Sequence, residues 1–262
     1  MNNQKKVSII ICVFNEETTI ESVIKACMEY NPDSELLVID DGSTDATQSL
    51  VKELNKSLEF RYINLKKNMG KSYAMAKGVE EASHDLILFF DADVTGIKKE
   101  HFEKILEPMY SDEADMVLGQ PSETLIDYRV NPFKGLTGER AMYKKDIVPI
   151  LNDIREISFG VETYINLYFK AHGKRIKYII MDGLTHPTKY KKTSAVKATV
   201  ELLSEGQEIA QTLLKNYDLI TKRIEYSFNT QNDLMKARLI EMQKDLNERI
   251  RNFFKNENQR EL

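Results

Sequence analysis

The chain has 262 residues, 42% hydrophobic and 30% charged, with a formal net charge of −4. That is enough apolar material for one large domain, or one domain with an appendage, and the slight acidity leaves no basic footprint of the kind a nucleic-acid-binding protein carries. The two cysteines, Cys12 and Cys27, make neither a C-x-x-C pair nor a disulfide framework, so both read as buried, reduced thiols in a reducing compartment.

In chain order, Lys5 and Lys6 lead into the apolar run 7–14, which is short and stops at Asn15-Glu16-Glu17 without a small-residue cleavage site, unlike a signal peptide. Segments 7–14, 35–40, 60–65 and 85–90 have strand length and are rich in Ile, Val, Leu, Phe and Tyr. Between them, 18–30, 44–54 and 71–82 repeat apolar residues three and four apart and read as helices. Such alternation with short links predicts right-handed crossovers and a mostly parallel sheet, whose ligands bind outside the carboxyl ends of the strands. Farther on, 115–119 reads as a strand, 138–151 and 161–172 as helices, and 174–181 as a strand. Gly173 marks a helix stop, and His172 suits the negative end of that helix's dipole. Beyond Pro187 the only glycine is Gly206 and proline is absent. Leu202, Ile209, Leu213, Ile220 and Ile224 form one apolar stripe; Met235, Leu239, Met242, Leu246, Ile250 and Phe253 form another, with turn composition over 228–233. Two long amphipathic helices folded as a hairpin are expected, packed on the main domain or forming a homodimer. Their mixed-charge polar faces suit a membrane surface less well. No stretch approaches the roughly 20 apolar residues that span a bilayer, so the chain reads as cytoplasmic, or as peripheral at the inner membrane face.

Three motifs sit at predicted strand ends. Asp91-Ala92-Asp93 follows the strand 85–90, where two carboxylates one residue apart can address a hard cation such as Mg²⁺ or Mn²⁺. Asp40-Asp41-Gly42-Ser43-Thr44-Asp45 follows 35–40: Ser43, Thr44 and Asp45 are expected to cap the next helix, and Asp41, with no such duty, to meet a nucleoside. Asn68-Met69-Gly70-Lys71-Ser72 invites comparison with a phosphate-binding P-loop, but Leu65 stands where that loop needs its first glycine, so an ATPase is disfavoured. Lys71 opposes the dipole at a helix start, which suggests that its charge serves a ligand. His186 lies in a loop before Pro187 and can serve as a metal ligand, whereas His84 and His101 look like ordinary surface residues. The cluster Lys189, Lys191 and Lys192 reads as a solvated loop or as a hold on an acidic group.

Taken together, these motifs resemble the family 2 glycosyltransferases with the GT-A fold, an α/β Rossmann-like sheet with flanking helices, here with the C-terminal α-helical hairpin added. The resemblance implies that Val13, Phe14, Asn15, Glu17, Asp41, Lys71, Asp91 and Ala92 line the nucleotide pocket, and that Asp93, Asp91 and His186 meet a metal–diphosphate. Cys12 stands where the family often has proline. Leu136-Thr137-Gly138-Glu139-Arg140, Phe159-Gly160-Val161-Glu162-Thr163 and Thr185-His186-Pro187 are similar to segments of the subgroup that contains glucosyl-3-phosphoglycerate synthases, which places Thr137, Gly138, Glu139 and Arg140 on the acceptor side. The chain has no tryptophan, which sets it apart from the processive polysaccharide synthases of the family.

The expectation is a catalytic domain over 1–192 and a helical extension over 193–262. The domain is read as a metal-dependent hexosyltransferase that uses UDP-glucose, with a UDP-sugar favoured over a GDP-sugar and a phosphorylated small molecule as acceptor. Asp91, Lys71 and Glu162 are the candidate catalytic residues. Glu162 is either a general base or an acidic residue placed by the helix dipole. Alternatives are a polyprenyl-phosphate sugar transferase at the membrane surface, a nucleotidyltransferase (which lacks support because the first strand opens onto no glycine-rich loop) and a non-catalytic sugar-nucleotide-binding assembly protein.

Overall fold

A computed structural model of the chain describes residues 5–122, 137–157, 160–186, 212 and 214–229. Among these, the strands β1 (Val7–Val13), β2 (Glu35–Asp40), β3 (Arg61–Asn64), β4 (Leu86–Phe89), β5 (Met116–Pro121), β6 (Arg140–Tyr143) and β7 (Ile176–Met181) form one sheet in the order β3-β2-β1-β4-β6-β5-β7. Every neighbouring pair is parallel except those made by β6, which runs antiparallel to both β4 and β5. The helices are α1 (Ile20–Tyr30), α2 (Thr47–Leu54), α3 (Lys71–Glu81), α4 (Lys99–Tyr110), α5 (Lys144–Ile147), α6 (Leu151–Glu156), α7 (Val161–Ala171) and α8 (Tyr217–Asn229).

Strand residues alternate between two apolar layers. Ile9, Ile11, Leu36, Val38 and Leu88 face α1 and α4, meeting Val23, Ile24, Phe102 and Ile105. Ile10, Leu37, Ile39, Ile87 and Phe89 face α3, α6 and α7, meeting Met75, Val79, Ile154 and Ile165. Burial on both faces explains why the central strands read as nearly unbroken apolar runs. Each such side chain contributes roughly 1.5–3 kcal/mol on leaving water.

The first four strands and three helices lie where the sequence placed them, within a few residues. The segment 138–151 does not: it is the strand β6, then α5, a 3₁₀ turn at Val148–Ile150, and the start of α6. Its apolar spacing fits a helix, but Ala141 and Met142 are pulled into the sheet by ladders with both β4 and β5. Helix α4 had no counterpart in the sequence reading. His101, expected at the surface, is fully buried in α4. Its Nδ1 accepts the Lys98 N–H at 3.2 Å and its Nε2 donates to the Asp182 carbonyl at 3.1 Å, a pairing that sets the tautomer.

Helix α7 ends with His172 and the left-handed Gly173, φ 67°, as expected. His172 Nδ1 donates to the Tyr168 carbonyl at 2.8 Å, and Nε2 accepts from Lys222 Nζ of α8 at 2.7 Å. With Leu219 and Ile220 packed in the same layer as α7, α8 lies on the main domain. It continues through Phe228 and Asn229, which the sequence assigned to a turn. Leu202, Ile209, Leu213 and the second stripe lie outside the described residues.

At the amino edge of the sheet, Glu35 gathers the Ser8 hydroxyl (2.5 Å), the Ser83 backbone N–H (2.7 Å) and hydroxyl (2.8 Å), and Arg61 (3.1 Å). Burial alone would raise its pKa; these donors instead hold it at about 2, against an ordinary 4.5. The stabilisation is therefore complete above about pH 4.5 and is lost as pH falls toward 2. Glu35→Gln is expected to lower unfolding free energy by roughly 2–3 kcal/mol at pH 7, with the gap to wild type closing in urea melts near pH 2–3; equal losses at both pH values would contradict this account.

Candidate active site

Parallel strands send their carboxyl ends to one edge of the sheet. Because β6 runs the other way, it brings its amino end to that same edge. Asp91-Ala92-Asp93 leaves β4, Thr137-Gly138-Glu139 enters β6, and Thr185-His186 follows β7. The β4 and β7 loops are pinned together by an isolated bridge: Thr95 and Thr185 exchange backbone hydrogen bonds of 2.9 and 3.0 Å, and their hydroxyls meet at 2.9 Å. His101 secures the turn before His186 through Asp182.

Around that edge, charges converge. Lys71 Nζ, at the start of α3, contacts Asp91 Oδ1 at 3.0 Å and Glu162 Oε1, in the first turn of α7, at 2.8 Å. Burial works against the ammonium, but Asp91 and Glu162 outweigh it and hold its pKa well above the usual lysine value. For Glu162, burial would raise the pKa, yet Lys71 and then Arg140 bring it down. His186 Nδ1 contacts Asp93 Oδ1 at 3.0 Å. Burial disfavours the imidazolium, while Asp93, Glu139 and Asp91 raise its pKa overall.

Asp91, Glu139 and His186 each offer one ligand atom within 4.8 Å of the others. Two carboxylates and an imidazole at that spacing suit a hard divalent cation such as Mg²⁺ or Mn²⁺. Glu139, which the sequence placed on the acceptor side, thus stands with the candidate metal residues, and Asp93 reaches them through His186. Glu139 is fully buried, and its Oε1 has no hydrogen-bond partner among the described residues. Arg140 points elsewhere: it is fully buried, with Nη2 donating to the Thr137 carbonyl and Nη1 3.5 Å from Asn166 Oδ1 of α7.

Gly138 makes the convergence possible. A Cβ on it would lie 2.0 Å from Asp91 Oδ2, so any side chain would push that carboxylate away. At the start of α7, Gly160 has φ 76°, and a Cβ there would fall 2.5 Å from Thr212 Oγ1. The C-terminal segment therefore presses close on the turn that precedes Glu162.

The expected nucleotide side is a zipper of loops. Asn15, at φ 56°, accepts the Thr44 N–H through Oδ1 at 2.7 Å and donates its own N–H to Ser43 Oγ at 3.0 Å. Glu17 Oε2 accepts the Ala46 N–H at 2.9 Å. Phe14 is exposed, whereas Val13 and Ala92 are buried. Asp41 is not free of structural duty as expected: its carboxylate accepts Met69 N–H at 2.7 Å and Gly70 N–H at 2.8 Å, fixing the loop before Lys71. The cap expectation for Ser43, Thr44 and Asp45 is also revised. The cap position of α2 is Ala46, and of the three only Asp45 serves the helix start, accepting the Thr47 N–H at 2.9 Å. Cys27 is buried, whereas Cys12 is partly buried and lines a small hollow with Lys71, Met75, Asp91 and Gly138. Burial pushes the Cys12 thiol up to about 12, so it is a poor nucleophile. Leu136, Phe159, Pro187, Lys189, Lys191 and Lys192 lie outside the described residues.

A family model described as glycosyl transferase family 2 matches residues 8–182. Poly-beta-1,6-N-acetyl-D-glucosamine synthase of Staphylococcus epidermidis is 32% identical over 89 residues, 33% of this chain and 21% of that protein. Cholesterol galactosyltransferase of Borreliella burgdorferi is 32% identical over 116 residues, 44% of this chain and 32% of that protein. The chain thus spans a third or less of the length of these curated relatives. Glucosyl-3-phosphoglycerate synthase of Mycobacterium tuberculosis, solved with Mn²⁺, UDP and phosphoglyceric acid, superimposes with a TM-score of 0.62 at 20% identity, over 80% of this chain and 78% of that one, a likeness of fold. The chain belongs to glycosyl transferase family 2, and it has the GT-A fold.

Gly138→Ala is expected to keep the fold but displace Asp91, lowering glycosyl transfer by roughly a hundredfold, as misplacement of a reacting group by about 1 Å can do. Wild-type rates in a folded Gly138→Ala protein would show that the close approach does not matter.

Proposed function

We propose that this family 2 glycosyltransferase takes glucose from UDP-glucose, with a divalent cation held by Asp91, Asp93 and His186, and passes it to a phosphorylated small molecule. The observation that carries the reading is the convergence of Asp91 and His186 at the strand edge, with Asp93 on His186. The M. tuberculosis neighbour was solved with UDP and either Mn²⁺ or Mg²⁺, which supports the choice of donor and ion.

When bound, the cation would offset negative charge growing on the departing diphosphate, a stabilisation larger in the transition state than in the ground state. Lys71 brings a second positive charge to the same place, held ready by Asp91 and Glu162. Donor phosphates compete with those carboxylates for its ammonium. The pairing makes Glu162 a weak proton acceptor while Lys71 stays on it. Once Lys71 turns to the diphosphate, Glu162 loses a neutralising partner and becomes more basic, which suits a general base facing an acceptor hydroxyl. Asn15, Glu17 and Asp41 hold the nucleotide-side loops in register and leave Phe14 exposed for contact with the base.

A second reading, a lipid acceptor at a membrane surface, is favoured by the B. burgdorferi relative, whose name gives cholesterol as its acceptor. Among the described residues no helix is long and apolar enough to cross a membrane. Release of UDP from UDP-glucose, measured with phosphoglycerate, with lipid vesicles and with neither, separates the two. Stimulation by phosphoglycerate is expected; stimulation by vesicles alone would favour the lipid.

Excess EDTA is expected to abolish UDP release, and added Mn²⁺ or Mg²⁺ to restore it. Undiminished turnover in EDTA, or in Asp91→Asn/Asp93→Asn, would remove the cation from the reaction.

A further inference from the structure

We propose that Glu139 is a direct protein ligand for the divalent cation beside Asp91 and His186, with Asp93 acting through His186, so that the chain binds the ion before any nucleotide arrives. The inference rests on the metal-dependent reading above and adds to it a residue and an order of binding.

The argument begins with an unmet need. Glu139 is fully buried, and among the described residues it makes no ion pair. Its neighbour in sequence, Arg140, leaves on the opposite face of β6, as successive strand residues must, and directs its guanidinium to Thr137 and Asn166. A buried carboxylate without a cation is costly unless it coordinates a metal or gives up its charge. The cation position lies where Glu139 already points, with one of its oxygens within 4.8 Å of a ligand atom on Asp91 and of one on His186.

The surroundings prepare Glu139 for this task. The Thr137 hydroxyl sits 2.6 Å from Oε2 and also reaches the Gly119 carbonyl, with one proton between them, while Oε1 has no hydrogen-bond partner among the described residues. A hydroxyl that orients one carboxylate oxygen while the other stays open is a common arrangement behind metal ligands. Gly138 lets Asp91 lie against the same turn, since a Cβ there would overlap the Asp91 carboxyl. Asp93 on His186 Nδ1 similarly fixes the orientation of the imidazole. Three side chains from three separate strand ends thus converge on one point. A site built that way needs no phosphate oxygen to complete its protein ligands.

The test uses the full chain without nucleotide, titrated with MnCl₂, with free Mn²⁺ read by electron paramagnetic resonance. Wild type is expected to bind one Mn²⁺, and Glu139→Gln to weaken that binding by roughly tenfold or more, the loss that even residues behind the ligands commonly cause. Glu107→Gln, on the exposed face of α4, is expected to bind as wild type does. Thr137→Val keeps the carboxylate and removes only its orienting hydroxyl, so a smaller loss there supports the assignment if Glu139→Gln fails to fold. Mn²⁺ affinity unchanged in a folded Glu139→Gln overturns the inference. Wild type that takes Mn²⁺ only with UDP present overturns it too, while leaving the proposed function intact. No Mn²⁺ binding with or without UDP removes both.

Discussion

Like charges do not gather in a half-buried place without compensation, and the carboxyl edge of this sheet gathers Asp91, Asp93, Glu139 and Glu162. Much of the architecture can be understood as the means of holding them there. Lys71 stands between Asp91 and Glu162, His186 leans on Asp93, and Arg140 lies buried beneath, lowering the pKa of Glu162 after Lys71. Glu139 is left over: among the described residues it makes no ion pair, and burial raises its pKa. An unpaired carboxylate at that edge is what motivates the proposed cation ligand.

One reversed strand allows the meeting. Had β6 run parallel to its neighbours, Thr137-Gly138-Glu139 would sit at the opposite edge of the sheet, beside the Ser8, Glu35 and Ser83 network. Its antiparallel ladders with β4 and β5 deliver the Glu139 turn directly onto the loop that carries Asp91. The two edges then divide the labour. The amino edge holds a carboxylate whose needs are fully met by local donors, and contributes stability. The carboxyl edge holds carboxylates whose needs are partly unmet, and contributes chemistry.

The parts of this plan that sequence made legible are those set by local pattern. Strands β1, β2 and β4 are nearly unbroken apolar runs because both faces are covered, and the motifs after them need only a strand end to have meaning. What escaped was set by distant partners. Arg140-Ala141-Met142-Tyr143 has the spacing of a helix, and pairing with two strands far away in the chain makes it a strand. Glu139 looked like an acceptor-side residue because nothing local shows that it enters the sheet backwards. Asp41 seemed unoccupied because its partners are backbone N–H groups on another loop. His101 looked like a surface residue because the carbonyl that receives its Nε2–H belongs to Asp182, beyond β7.

The seating of α7 has a consequence for how the chain can vary. Thr212 bears on Gly160 at one end of that helix, and Lys222 holds His172 at the other, with Leu219 and Ile220 along the span. The helix is thus a beam clamped at both supports by the same downstream stretch of polypeptide. Its load is Glu162, and with it the resting place of Lys71. A replacement in that stretch, however remote it looks from the reacting sugar, would be felt as play in the carboxylate that faces the lysine from across the cleft.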